Sequence, residues 1–132
     1  MSVTVAGANK MMRGQTTEGS ADSGEGVTLS GFYVPNAEVQ ARLADLEIAK
    51  GPFTEIALHE SEGWTFFMAS LGITTLPPSC VLKIGYFRRE AHRFFDELPA
   101  WMAKTGAVHV RRLSLAQASG FLSLTVLYAR RP

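Results

Sequence analysis

Two glycine–aromatic triplets, Gly31-Phe32-Tyr33 and Gly85-Tyr86-Phe87, each run straight into a helical pattern. That pairing constrains the chain more than any other feature, because the surrounding signals recur in the same order. The β-forming run Val27–Val34 precedes a helix opened by Pro35-Asn36, with Asn36 as expected N-cap and Glu38 in the first turn. Val39, Leu43, Leu46 and the stem of Lys50 form its apolar stripe, and Gly51-Pro52 stops it. Two strands follow, Phe53–Glu60 and Trp64–Leu71, around the turn Ser61-Glu62-Gly63.

The second half repeats this order. Val81–Phe87 reads as a strand and 88–104 as a helix with Ala91, Phe94, Phe95, Leu98 and Met102 on one stripe. Pro99 lies inside that helix and should kink or restart it. Gly106 ends it, and strands 107–113 and 121–129 flank a turn at 116–120. Glu62-Gly63-Trp64 thus lies over Ser119-Gly120-Phe121. A tandem strand-helix-strand-strand (βαββ) duplication accounts for all these matches at once; the alternative is the shared grammar of such units. The expected fold is α+β: two βαββ modules in a mostly antiparallel sheet with both helices on one face.

The remaining segments read as connections. Residues 1–26 carry five glycines among Ser, Thr and acidic residues, and 18–26 has linker composition, so they are expected to be a flexible arm. Within it Ser2–Ala6 can add a short strand. One domain of 27–132 is expected, with module 1 at about 27–71, a connector at 72–80 containing Pro77-Pro78, and module 2 at about 81–129.

Composition narrows the setting. One cysteine, Cys80, excludes an internal disulfide, and no apolar run approaches the ~20 residues of a membrane span. The start lacks the basic and apolar regions of a secretory signal, so a cytoplasmic protein without membrane partners is expected. The net charge of +1 conceals an asymmetry. Residues 1–80 hold four Lys/Arg against nine acids, net −5; residues 81–132 hold nine against three, net +6. Such halves attract each other, attract a second copy, or bind an anion; the basic residues are too scattered to favour nucleic acid.

Catalytic motifs are missing. There is no HExxH, CxxC, phosphate-binding loop, dinucleotide fingerprint or GxSxG, so no catalytic residue and no cofactor is expected. His59 with Glu60 and Glu62 is the one loose cluster with metal-ligand chemistry, and neighbours on a strand point to opposite faces, so no metal is expected there. Cys80 has neither a base nor a helix start beside it and reads as a packed thiol.

Strand parity carries the functional expectation. Ile56 and Leu58, Leu82, Ile84 and Tyr86, Val108 and Val110, and Leu122, Leu124 and Val126 are assigned to the helix side. The other face then collects Trp64, Phe66, Phe87 and Phe121 with Glu55, His59, Lys83, His109 and Arg111. An aromatic face of this kind needs a cover: a second subunit, the walls of a small-molecule cup, or stacked single-stranded nucleic acid. The topology is similar to duplicated βαββ domains of the gyrase-inhibitor-like kind, which hold small molecules between their halves; no residue is carried over from that similarity. The expected function is therefore a non-catalytic binding module for an amphipathic or aromatic ligand. Its expected ligand-binding residues are Glu55, His59, Trp64, Phe66, Phe87, His109, Arg111 and Phe121. A homodimer using that face is the alternative, and nucleic-acid binding by the basic half the third.

Overall fold

A computed structural model of the chain describes residues 17–72 and 79–132. The elements run β1 (Thr17–Asp22), β2 (Thr28–Pro35), a 3-10 turn (Asn36–Glu38) and α1 (Val39–Lys50). After them come β3 (Glu55–Ser61), β4 (Trp64–Leu71), β5 (Val81–Glu90), α2 (Ala91–Thr105), β6 (Ala107–Ala118) and β7 (Phe121–Arg130). The class is α+β, with antiparallel pairing throughout. The strands form two sheets rather than one: sheet A in the order β1-β2-β4-β3 and sheet B in the order β5-β7-β6.

β1 lies inside the segment expected to be an arm. It pairs along β2, and the turn after it is pinned where the buried Ser23 Oγ donates to the Ala107 carbonyl at 2.7 Å. The Ser2–Ala6 segment that can add a strand and most of the Pro-rich connector lie outside the described residues.

Each sheet is organised around one helix and one tight hairpin. Glu62 and Gly63 have φ of 54° and 83°, and Ser119 and Gly120 have 53° and 81°. Both residues of each loop are left-handed, which is the turn whose twist matches antiparallel strands. The hairpin carbonyls then meet the helix starts: Asn36 N–H donates to Gly63 O at 2.8 Å and Ala91 N–H to Gly120 O at 3.0 Å. Asn36 does not cap the helix with its side chain. Its Oδ1 accepts from Thr65 Oγ1 at 2.7 Å and its Nδ2 donates to Glu60 at 3.2 Å, tying the turn to sheet A.

Facing residues correspond between the sheets. Phe32 lies opposite Phe67 under α1, and Phe87 lies opposite Leu124 under α2. The structural equivalent of Phe32 is thus Phe87, one residue away from the alignment of the two triplets. That shift reverses the expected parity of β5. Gly85 and Phe87 face α2, where a Cβ on Gly85 would sit 2.8 Å from the Trp101 ring. Leu82, Ile84 and Tyr86 point the other way.

The helices do not share a face. α1 covers one side of sheet A, setting Val39, Leu43 and Leu46 with Phe53 on Phe32, Val34, Phe67 and Ala69. α2 lies between the sheets, against β1 on one side and β5 and β7 on the other. Its stripe of Ala91, Phe94, Phe95, Leu98 and Met102 is buried, and the helix runs unbroken across the exposed Pro99. Burying each Phe, Leu or Met contributes about 1.5–3 kcal/mol, so this stripe is the main weld between the sheets. Beyond α2 the sheets close on each other along β3, β4 and β6, where Gln117 Nε2 donates to the His59 carbonyl at 2.9 Å. The layers therefore run α1, sheet A, α2, sheet B, with nothing described on the far side of sheet B.

Candidate interaction surface

Two rings of the expected aromatic face, Phe66 and Phe87, lie in the interior of the protein. Phe66 is fully buried, edge-on to Phe94 and Phe95 with centroids 5.1 and 6.4 Å away. Phe87 is buried against Phe94 at 5.0 Å and Trp101 at 5.2 Å. These rings are packed by α2.

The other expected site residues separate. Glu55 and His59 lie half-buried on the inner face of β3, opposite Ser70 and Phe66. The His59 Nδ1 is buried without a hydrogen-bond partner. Trp64 is half-buried and stacks on Tyr33, centroids 4.9 Å apart. Burial, and secondarily the charge of Glu62, raises the Tyr33 hydroxyl above its usual value. His109 is half-buried in β6 opposite Ala129, and the exposed Arg111 sits in a break of the β6–β7 register. Phe121 lies on the outer face of sheet B, half-buried beneath the Arg88 guanidinium at 4.1 Å. Glu55, His59, Trp64 and Phe66 are thus neighbours along one seam, while Phe121 and Arg111 belong elsewhere. Among the described residues no group of three or more His, Cys, Asp or Glu is placed to hold a metal, and no helix is long and apolar enough to cross a membrane.

Exposure picks out a different surface. Leu82, Ile84 and Tyr86 are 53%, 57% and 72% exposed along β5, an edge strand of sheet B. Their cross-strand partners Leu127 and Thr125 continue the face onto β7, and Arg112, Ser114 and Ala116 carry it to β6. Arg88 on the same β5 row adds positive charge, and Glu90 ends the row. Among the described residues this edge has no further strand beside it, and single-chain proteins ordinarily guard such an edge with charge, proline or a bulge.

Two further features lie on the opposite side of the molecule. Ile56 and Leu58 have the parity of the helix-facing side, yet α1 reaches only β2 and β4, which leaves each of them 60% exposed. A cleft of about 410 Å³ opens between α1 and the β1–β2 edge. Phe32, Leu46 and Ala49 give it an apolar floor, and Arg42, Asp45 and Lys50 line its rim. Arg42 is held there by Glu18 and by Glu38 at 3.6 Å.

Sequence reasoning assigned β5 to the wrong parity because both of its faces are apolar. The available signal was Gly85, a small residue opposite a large one, but nothing in the sequence names Trp101 as its neighbour. Comparison with known proteins gives no matching family model, no matching curated protein and no matching solved structure.

Proposed function

We propose that this chain is a non-catalytic interaction domain that associates with itself through the outer face of sheet B. One observation carries the reading: an exposed row of Leu82, Ile84 and Tyr86 on a ten-residue edge strand. Water contact with three large apolar side chains in a row is costly, and covering them returns roughly 25 cal/mol per Å² of apolar surface. The correspondence of the two sheets supports a duplicated βαββ origin, with β5 the equivalent of β2. In sheet A that strand is central and covered on both sides; in sheet B, among the described residues, it is an edge with one side uncovered.

Sedimentation velocity over a concentration series tests the reading. Wild-type protein should sediment above monomer mass, and Ile84→Glu should return it to monomer with an unchanged far-UV circular dichroism spectrum. A wild-type chain that stays monomeric throughout removes the proposal.

The cleft beside α1 favours a second reading, the holding of a small amphipathic ligand with an ionisable group. Its volume falls within the range of small-molecule sites, and it sets Arg42, Asp45 and Lys50 around Phe32 and Leu46. A thermal-shift screen of small aliphatic and aromatic acids and amines tests it, with Leu46→Trp filling the cleft. Stabilisation by a compound that Leu46→Trp abolishes supports this site; no shift from any compound rejects it.

A further inference from the structure

The layer order indicates which surface covers sheet B. In sheet A, the β2 face turned away from α1 carries Leu29, Gly31 and Tyr33, and it is buried in the core cluster to which the next helix in the chain, α2, contributes its apolar stripe. In sheet B, the corresponding face turned away from α2 carries Leu82, Ile84 and Tyr86, and among the described residues no further helix meets it. The stack thus begins with a helix and ends with a bare sheet. We infer that self-association is head-to-tail: the outer face of sheet B of one copy packs on the α1 side of the next, continuing the alternation of helix and sheet. This inference rests on the self-association proposed above and specifies its geometry.

The α1 side has the complementary chemistry. Val39, Leu43 and Leu46 point into the protein, so the helical repeat turns Ala41, Ala44 and Ile48 outward. Ile48 is 85% exposed, and Ile56 and Leu58 lie uncovered on the same side of sheet A. The charges around these apolar residues are acidic on balance: Asp45 and Glu47 on the helix and Glu60 on β3 are exposed, Lys50 is the exposed cation, and Arg42 is paired with Glu18 and Glu38. The sheet B face carries Arg88 and Arg112 beside its apolar row, both exposed, while the exposed Glu90 at the end of the row is paired with Arg93 at 3.8 Å. The division of the whole chain into a half of net −5 and a half of net +6 follows the same line. A two-fold contact of sheet B on sheet B would instead bring together two faces of net positive charge, whereas the head-to-tail contact sets a net positive face on a net negative one. Because the two surfaces differ, the contact is heterologous and builds a closed ring or an open chain rather than a two-fold dimer.

Complementation of two variants tests this geometry. Ile84→Glu removes the sheet B surface and leaves the α1 side intact; Ile48→Gln with Leu58→Gln does the reverse. All three side chains are exposed, and far-UV circular dichroism with a thermal melt verifies each fold, Tyr86→Ser replacing Ile84→Glu if that variant melts early. Each variant alone should associate at least ten times more weakly than wild type. An equimolar mixture should form a 1:1 pair of twice the monomer mass and stop there, since each pair keeps one intact contact. Raising the salt should weaken that pair. If the α1-side variant keeps the wild-type mass, the head-to-tail contact is wrong while self-association through sheet B stands. A mixture that stays monomeric also overturns it, and a monomeric wild type overturns both.

Discussion

Phe94 joins the two sheets, so its truncation gives the sharpest test of the layered arrangement. The ring is fully buried and lies 5.0 Å from Phe87 on β5, 5.1 Å from Phe66 on β4 and 5.0 Å from Phe95 on its own helix, edge-on or nearly so in each case. Phe94→Ala removes a side chain with packing on both sides. The loss of transfer energy and the remaining cavity cost about 3–5 kcal/mol. Because edge-to-face pairs add about 0.5–1.5 kcal/mol each, the upper part of that range applies here. We expect about 4–5 kcal/mol, a large share of the ~5–15 kcal/mol that holds a domain together. Tm should fall by roughly 12–20 °C, intermediate between the responses of smaller and larger domains. Phe94→Leu keeps apolar volume and should lose only about 1–2 kcal/mol. Urea melts of both variants and wild type, fitted with a common slope, measure these differences. A loss below about 2 kcal/mol for Phe94→Ala would refute the placement of α2 between two sheets, since a helix packed on one sheet alone leaves this ring half its neighbours.

Three smaller perturbations follow from the same structure. Gly31→Ala drives a Cβ into the Phe67 carbonyl and the Met68 sulfur across the β2–β4 ladder; it should cost about 1–3 kcal/mol in a thermal melt. Ser119→Asn places a residue better suited to a left-handed turn at φ 53° beside Gly120, and should stabilise by up to about 1 kcal/mol in urea. The Tyr33 hydroxyl, raised by burial and then by Glu62, keeps its proton in the folded state after the unfolded chain has lost it. Its contribution is full below the unfolded value near pH 10 and is lost as pH rises through the higher folded value, so Tyr33→Phe should flatten the alkaline fall in stability, measured by urea melts from pH 8 to 11.

Much of the architecture is legible along the chain because it rests on local spacing. The stripe Ala91, Phe94, Phe95, Leu98, Met102 defines α2, and all five side chains are buried. The glycines at 63 and 120 fix both hairpins, since a two-residue loop needs left-handed backbone there. β1 escaped notice for a local reason of its own. Its sequence, TEGSAD, reads as linker because the side facing α2 is limited to small residues: a Cβ on Gly19 would already lie 3.0 Å from Phe95.

Which surface each element turns to water is decided only in three dimensions. Alternation along β5 separates Leu82, Ile84 and Tyr86 from Gly85 and Phe87, but both sets are apolar, and spacing alone gives parity without direction. The direction is set by Trp101 filling the space over Gly85, a contact across 16 positions of sequence. In the same way Ile56 and Leu58 have the right parity for burial and stay exposed, because the width of α1 covers two strands and not a third. Phe66 and Phe87 lie in the core for the converse reason: α2 inserts between two sheets, and a strand's own residues cannot specify what lies above them. Periodicity is a property of one segment, whereas burial depends on the segment that comes to rest against it.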